Sequence, residues 1–294
     1  MDKLVHIIIS AAVAALVAGA FVYFGGNVPF ERTKNVKESA FARVMRTRTI
    51  RCAFTLWPPH FMIDPNTGEK SGVDVEVMEA IGRVTDLKIK WEDEVGVGAA
   101  PEQLESGKQD VFCAALWENG RRAQRVETSK PIDYMPLYAY VREGDTRFDG
   151  NAAAINNEKV TISLVDGAAQ KALADGSFPK ATQYSLPIDT DATQSFLAVS
   201  TGKGDVVFSD AAAIADYNAH NPAHKLRRAT GTPARRIYGD VFVVAKGEWQ
   251  LRDLLSAAIT ELLNDGTVDR ILDKYEIEPG AFFRVAPAYV SKAH

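Results

Sequence analysis

One short string occurs twice in the chain, and this repeat limits the possible folds more than any other feature. A Ser/Thr-Gly-Lys-x-Asp string occupies residues 106–110 and again residues 201–205, and an apolar run follows each copy directly. Short apolar runs without polar alternation are typical of parallel strands that are covered on both faces. Because the same string leads into a buried strand at two places, the sequence predicts two α/β lobes of like topology.

The order of the predicted elements also indicates how the chain divides. With 294 residues it is long enough to build two hydrophobic cores. Leu137 to Arg142 and Tyr238 to Ala245 have strand-like composition, and we interpret them as two crossovers between the lobes. Leucines at helical spacing predict a helix from Gln250 to Asn264. The predicted segments are residues 1–25 as a membrane anchor or signal segment, 26–47 as a tether, 48–141 as the first part of lobe 1, 142–237 as lobe 2, 238–278 as the return to lobe 1, and 279–294 as a tail.

The N-terminus contains an uncharged apolar stretch, Leu4 to Phe24, of 21 residues. As a helix it would be about 31 Å long, which is enough to cross a bilayer core of about 30 Å. The triplet 18–20, Ala-Gly-Ala, would suit signal peptidase, so a cleaved signal peptide is the alternative. The apolar residues continue beyond that triplet to Phe24, which favours a retained transmembrane helix.

The charge composition argues against nucleic-acid binding. The formal net charge is −4 and the basic residues are scattered, so nucleic-acid binding has no support.

The two cysteines, Cys52 and Cys113, each lie in an apolar strand-like run without metal-ligand spacing. We interpret them as buried core thiols, although a disulfide remains open because the two strands could be neighbours. We expect neither a metal nor a cofactor.

The stretch from Asp110 to Tyr134 combines a buried strand, a polar turn and a basic helix start, in which Arg122 lies just past the strand. Ligands of open α/β sheets bind at the carboxyl ends of strands, where a guanidinium can hold a carboxylate by two hydrogen bonds. A solvated surface arginine is the alternative, and the local sequence alone favours it.

These motifs resemble a known family. A strand that begins with Asp110 and is followed by Arg122, Ser129, Pro131 and Tyr134, together with Leu-x-Ser-Gly-Lys-x-Asp at 104–110, resembles the periplasmic solute-binding proteins of the amino-acid-binding type, bacterial solute-binding family 3. The resemblance extends from about residue 49 to 277. It implies a two-lobed α/β periplasmic-binding-protein-like fold of type II with two crossover strands, here preceded by one N-terminal transmembrane helix.

The resemblance also implies roles for individual residues. It gives Arg122 the ligand carboxylate, Asp210 the α-ammonium group and Trp57 a stacking contact with the ligand. Trp117 and Asn119 stand where the family usually has hydroxyl residues. Asp166-Gly167 stands where Gly-Thr is common, and the acid there would either repel a carboxylate or cap the following helix. The predicted ligand-binding residues are Trp57, Trp117, Asn119, Arg122, Asp166, Gly167 and Asp210.

The function implied is binding without catalysis. A small polar solute, an amino acid or a related zwitterion, would bind in the interlobe cleft, and hinge closure would present it to an ABC-type permease of the inner membrane. The expected location is the periplasmic side of that membrane, anchored by the N-terminal helix, or the periplasm if the helix is cleaved. The alternatives are a membrane-tethered sensor or accessory protein, and a periplasmic dehydratase-like enzyme that would use Glu118 or Asp166 as its acid or base.

Overall fold

The computed structural model describes Val13, residues 38–276 and residues 280–287. The strands are β1 Thr49–Phe54, β2 Met62–Ile63, β3 Lys70–Ser71, β4 Lys88–Glu94, β5 Val111–Trp117, β6 Val126–Thr128, β7 Asp133–Arg142, β8 Thr161–Val165, β9 Thr182–Leu186, β10 Val206–Ser209, β11 Leu226–Arg228 and β12 Arg236–Ala245. The α-helices are α1 Ala40–Thr47, α2 Val73–Thr85, α3 Ala100–Ser106, α4 Gly120–Ala123, α5 Ala169–Ser177, α6 Thr193–Ser200, α7 Ala211–His220, α8 Trp249–Asn264 and α9 Thr267–Tyr275, and a 3₁₀ turn spans Ala152–Ile155.

The strands form two lobes whose sheets meet along β7 and β12. The order is β4-β1-β5-β12 in lobe 1 and β7-β10-β8-β9 in lobe 2, with β6 beside β12 and β11 beside β7. Strand β1 is parallel to β4 and β5, and β8 is parallel to β9 and β10. The two repeated Ser/Thr-Gly-Lys-x-Asp strings lead into β5 and β10, one in each lobe. The prediction of two α/β lobes is confirmed.

The hinge is the antiparallel pair of crossover strands. Residues 133–137 of β7 pair with residues 236–240 of β12, and Asp133 lies opposite Asp240. Beyond this segment β7 pairs with β10 in lobe 2, and β12 pairs with β5 in lobe 1. Each crossover strand therefore belongs to both sheets, and a change in their twist would move one lobe relative to the other.

Helix α8 has the amphipathic spacing from which the sequence predicted it. Its buried residues are Leu251, Leu255, Ala258, Ile259 and Leu262, which recur every three or four positions. This face packs against α2 and α9 on one side of the lobe 1 sheet. The predicted start at Gln250 differs by one residue from the observed start at Trp249.

Cys52 and Cys113 form a disulfide bond across β1 and β5, so the prediction of two core thiols is wrong. The parallel register places Cys52 beside Val111, and the two Cα atoms are 5.4 Å apart. That separation lies within the usual range for a disulfide. Both side chains are fully buried, as predicted.

The predicted N-terminal membrane helix, residues 4–24, lies outside the described residues except for Val13. In the part of the chain that the structure describes, no helix combines the length and hydrophobicity needed to cross a bilayer.

Candidate functional site

A cavity lies between the lobes at the ends of β5 and β8. Its volume is about 40 Å³, which leaves room for about three water molecules. Lobe 1 contributes Thr55, Trp57, Val97, Ala115, Leu116, Trp117 and Arg122, and lobe 2 contributes Val165, Ala168, Ala169, Gln170, Ala192 and Ser195. Residues of both lobes therefore line the same cavity, as hinge closure on a ligand requires.

Two tryptophan rings form part of the apolar lining of this cavity. The rings of Trp57 and Trp117 meet edge to face with centroids 5.5 Å apart, and Trp57 also contacts Phe196 of lobe 2 at 6.2 Å. Tyr238 stacks on the other side of Trp117, with centroids 6.0 Å apart. The two predicted tryptophans therefore lie together at the cavity, and Tyr238 holds Trp117 in place.

Arg122 is the cationic group of the cavity. The end of β5 and the short helix α4 position it, and Asn119 caps that helix because its Oδ1 accepts a hydrogen bond from the Arg122 backbone N–H at 3.0 Å. Arg122 is 8% exposed, and its guanidinium donates to the Trp117 carbonyl. The charge of Asp240 acts on it, but no ion pair of Arg122 is found among the described residues. Burial lowers the pKa of Arg122 to about 10. A buried guanidinium without an ion pair is a strong site for an anionic ligand.

The first turn of α5 faces Arg122 across the cavity. Its N-cap residue is Ala168, which offers no side-chain cap, so backbone N–H groups at this helix start are left for another acceptor. Asp166 does not cap the helix, because its Oδ1 accepts a hydrogen bond from Ser185 Oγ at 2.7 Å. Asp166 and Gly167 are both absent from the cavity wall, although Gly167 borders a neighbouring groove with Asn119.

Asp210 is fully buried, whereas we expected it to face an open cleft. It caps α7, because its Oδ1 accepts a hydrogen bond from the Ala213 N–H at 2.7 Å. Its other oxygen has only a long contact of 3.4 Å with Ser209 Oγ. Burial raises the pKa of Asp210. The structure therefore does not bring Asp210 to the cavity wall beside Arg122.

The lobes touch at the cleft entrance. A Cβ atom built on Gly98 of lobe 1 would collide with Ile188 of lobe 2, and Gly96 and Gly167 make similarly close approaches across the cleft. Arg121 of lobe 1 also lies 3.7 Å from Asp175 of lobe 2. Only a residue without a side chain fits at Gly98, so this conformation is a closed one.

Neither candidate acid of the dehydratase hypothesis lines the cavity. Glu118 is exposed and accepts a hydrogen bond from Thr128 Oγ1 at 2.7 Å, and Asp166 is bound to Ser185. No Asp or Glu among the described residues forms part of the cavity wall. The described part of the cavity wall therefore offers no carboxyl group for an acid–base mechanism.

The sequence did not predict a group of buried titratable residues at the hinge, which we call the hinge cluster: His60, Asp74, Asp133 and Asp240. Their exposed fractions are 1%, 0%, 0% and 2%. His60 Nδ1 lies 3.3 Å from Asp74 Oδ1 and 3.2 Å from Asp240 Oδ2. Phe282 of the C-terminal tail covers the imidazole edge to face, with ring centroids 5.3 Å apart. The only sequence signal was a histidine at an otherwise apolar loop position.

Burial and mutual charge interactions shift the pKa values of the residues in the hinge cluster. Burial alone would lower the pKa of His60, but the charges of Asp240 and Asp74 outweigh it and raise that pKa to about 10. Burial raises the pKa of Asp133 to about 7 against the opposing charge of His60. Burial also raises the pKa of Asp240. Both carboxyl groups therefore bind protons more readily than an exposed aspartate does, and the cationic form of His60 is favoured.

Comparison with known proteins places the chain among relatives of one kind. Residues 50–278 match the family described as bacterial extracellular solute-binding proteins, family 3. The amino-acid-binding protein AabA of Dichelobacter nodosus is 25% identical over 237 residues, which are 78% of this chain and 87% of that protein. A probable histidine-binding protein of Campylobacter jejuni is 25% identical over 213 residues, which are 71% of this chain and 77% of that protein.

Solved structures share the same fold. The solute receptor for L-cysteine of Neisseria gonorrhoeae gives a TM-score of 0.70 at 21% identity and covers 83% of this chain and 99% of its own. The ancestral amino acid-binding protein AncCDT-1, a precursor of cyclohexadienyl dehydratase, gives a TM-score of 0.69 at 19% identity and covers 81% of this chain and 99% of its own. The two-lobed periplasmic-binding-protein-like fold predicted from the sequence is confirmed.

Proposed function

The chain belongs to the bacterial extracellular solute-binding proteins of family 3, as its motifs predicted, and from this premise we propose that it binds an amino acid or a related zwitterion between its lobes. The observation that carries the proposal is Arg122, a buried guanidinium at the interlobe cavity that has no carboxylate partner among the described residues. A ligand carboxylate supplies the missing charge and accepts the bidentate hydrogen bonds.

The second contact for the carboxylate comes from the other lobe. The uncapped start of α5 and the side chain of Gln170 offer hydrogen-bond donors on the lobe 2 wall, whereas the Ser195 hydroxyl donates to the Ala192 carbonyl at 2.6 Å. Trp57 and Trp117 enclose the body of the ligand on the lobe 1 wall. A carboxylate held by Arg122 and α5 together makes contacts that exist only when the lobes are closed, so the ligand shifts the population towards that state.

The names of the relatives support an amino acid as the solute, because AabA is an amino-acid-binding protein and two others are named as probable histidine-binding proteins. The α-ammonium group requires an acceptor, and Asp210 is our proposed partner. Its Oδ2 makes only a long 3.4 Å contact with Ser209 Oγ among the described residues, so this oxygen can still accept a hydrogen bond from an ammonium group that reaches it.

The expected partner is an ABC-type permease that receives the solute from the closed form. We also propose that the N-terminal stretch 4–24 remains attached and holds the binding domain at the periplasmic face of the inner membrane. Mass spectrometry of the mature protein tests the anchor. A soluble species that begins at Phe21 contradicts it, and the function would then be that of a free periplasmic binding protein.

The binding proposal is tested first with a thermal-shift screen of amino acids and their analogues. A ligand at about 100 times its dissociation constant stabilises the folded state by about 2.7 kcal/mol, which such a screen detects. Calorimetry then compares the parent with Arg122→Gln and with Arg121→Gln. Arg121 is the matched control, because it precedes Arg122 on the same helix but its side chain is 74% exposed.

Arg122→Gln is expected to weaken binding by about 2 to 5 kcal/mol, because a desolvated ligand carboxylate loses its partner. Arg121→Gln is expected to bind within about 1 kcal/mol of the parent, since it loses only an exposed ion pair. If Arg122→Gln binds the selected ligand as the parent does, the carboxylate is held elsewhere and the proposed site is wrong.

A further inference from the structure

The ligand-binding proposal does not use the hinge cluster. Three buried carboxylates, those of Asp74, Asp133 and Asp240, face the single imidazole of His60. Arg284 also acts on Asp133, but its Nη2 atom lies 2.6 Å from Asp273 and 2.8 Å from Glu276. Because buried ionised groups are paired or coordinate metals, either protons or a bound cation must neutralise the carboxyl groups of the cluster.

Several polar atoms of the cluster have no partner. His60 Nε2, both carboxylate oxygens of Asp133 and Asp240 Oδ1 are shielded from solvent and contact no hydrogen-bonding group among the residues described. Leaving such atoms unsatisfied costs folding free energy at each of them. Asp133 is the most demanding case, since it is 0% exposed and neither of its oxygens accepts a hydrogen bond.

The spacing of these atoms suits a common ligand. One atom each from His60, Asp133 and Asp240 lies within 4.8 Å of the other two. The distance from His60 Nδ1 to Asp240 Oδ2 is 3.2 Å. Two ligand atoms that are each about 2.0 to 2.1 Å from one tetrahedral ion are separated by about 3.3 Å, so this edge already has the length that a bound ion requires.

We propose that His60 through its Nδ1 atom, Asp133 and Asp240 bind one divalent transition-metal ion, which replaces the proton on Nδ1. One imidazole and two carboxylates are a ligand set for borderline ions such as Zn²⁺, Fe²⁺ or Mn²⁺. Asp74 Oδ1 lies 3.3 Å from the same nitrogen, while its Oδ2 accepts a hydrogen bond from the Ala115 N–H at 2.8 Å. Asp74 therefore adds a fixed carboxyl group beside the proposed ion.

The position of the site gives the ion a structural role. His60 lies on the loop that carries Trp57, and Asp133 and Asp240 lie opposite each other on the two crossover strands. A bound ion ties this loop to both strands of the hinge. The metal site does not depend on which solute the cleft binds, so it stands or falls separately from the proposed function.

The test uses the full-length chain, purified in detergent without a polyhistidine tag. Its metal content is measured by mass spectrometry after exposure to Zn²⁺ and dialysis, and its thermal unfolding is followed with Zn²⁺ and with EDTA. His60→Gln and Asp133→Asn remove one ligand each at nearly constant shape. His220→Gln is the matched control, because His220 is an exposed histidine 3.5 Å from Asp216, away from the hinge cluster.

The parent and His220→Gln are expected to retain one Zn²⁺ per chain and to unfold at a lower temperature in EDTA. His60→Gln and Asp133→Asn are expected to lose about 100-fold or more in Zn²⁺ affinity and to unfold at the same temperature with and without EDTA. The parent decides the question even if a variant does not fold. A parent that retains no stoichiometric metal and gains no thermal stability from Zn²⁺ overturns the proposal, and so does a folded His60→Gln variant that binds Zn²⁺ as tightly as the parent.

Discussion

The disulfide between Cys52 and Cys113 is expected to supply a large part of the stability of lobe 1. The bond joins residues 61 positions apart, so it closes a loop that contains α2, β4 and α3. Closing a loop of this length lowers the entropy of the unfolded chain by about 14 cal/mol/K, which is about 4 kcal/mol at 25 °C. The replacement Cys52→Ala with Cys113→Ala removes that constraint.

Packing adds to this loss. Both cysteines are fully buried in the lobe 1 core, and their replacement by alanine removes two sulfur atoms from that core. Small cavities of this kind cost about 1 kcal/mol each when the surroundings relax only in part. The double variant is therefore expected to lose about 4 to 6 kcal/mol of unfolding free energy.

Urea unfolding of the parent, the reduced parent and the double variant measures this loss. Reduction alone is expected to cost about 4 kcal/mol, which corresponds to a fall in melting temperature of about 8 to 16 °C for a domain of this size. The double variant should not respond to the reductant at all. Thiol titration in denaturant gives the covalent state of the parent independently.

Two outcomes would refute this reasoning. Two free thiols per chain in the unreduced, unfolded parent would mean that the bond does not form. If the bond is present but its reduction leaves the urea midpoint unchanged, the unfolded state is already as compact as the cross-linked one, and the loop-closure estimate fails.

Three further predictions concern the cleft and lobe 2. Ligand binding should change the tryptophan fluorescence, and Trp57→Leu with Trp117→Leu should abolish most of that change; a signal that survives would show that neither ring lies at the ligand. Asp210→Asn should weaken binding of an amino acid by roughly 2 kcal/mol in calorimetry and leave its deaminated analogue unaffected; equal losses for both ligands would exclude Asp210 as the ammonium partner. Hydrogen bonds from the Arg147 side chain hold the pKa of Asp145 below its usual value. The Asp145 carboxylate therefore stabilises the folded state fully at pH values above the unfolded pKa of about 3.9. This stabilisation is lost as the pH falls through the lower pKa of the folded state. Asp145→Asn should therefore cost about 1 kcal/mol in urea unfolding at neutral pH and progressively less in acid, and a cost that does not change with pH would contradict this assignment.

The local sequence determined those features that depend on residues close together in the chain. The spacing of leucines from Leu251 to Leu262 predicted α8 to within one residue, because an amphipathic helix has the same period wherever it packs. The repeated Ser/Thr-Gly-Lys-x-Asp string predicted two similar lobes for the same reason, since each copy leads directly into its own buried strand. Arg122 was selected because the motifs around it resemble those of the solute-binding family, whereas the local sequence alone favoured a solvated surface arginine.

Only the tertiary structure decided features that join distant segments. Cys52 and Cys113 form a bond because β1 and β5 are parallel neighbours, a pairing that neither strand's sequence specifies. Asp210 is fully buried at the junction of β10 and α7, whereas its sequence context is that of an ordinary helix cap. The hinge cluster exists because β7 and β12 pair with Asp133 opposite Asp240, and the loop after β1 places His60 between them. A carboxylate in a strand gives no local sign of the charges that will surround it, because burial and cross-strand register arise only when the lobes assemble.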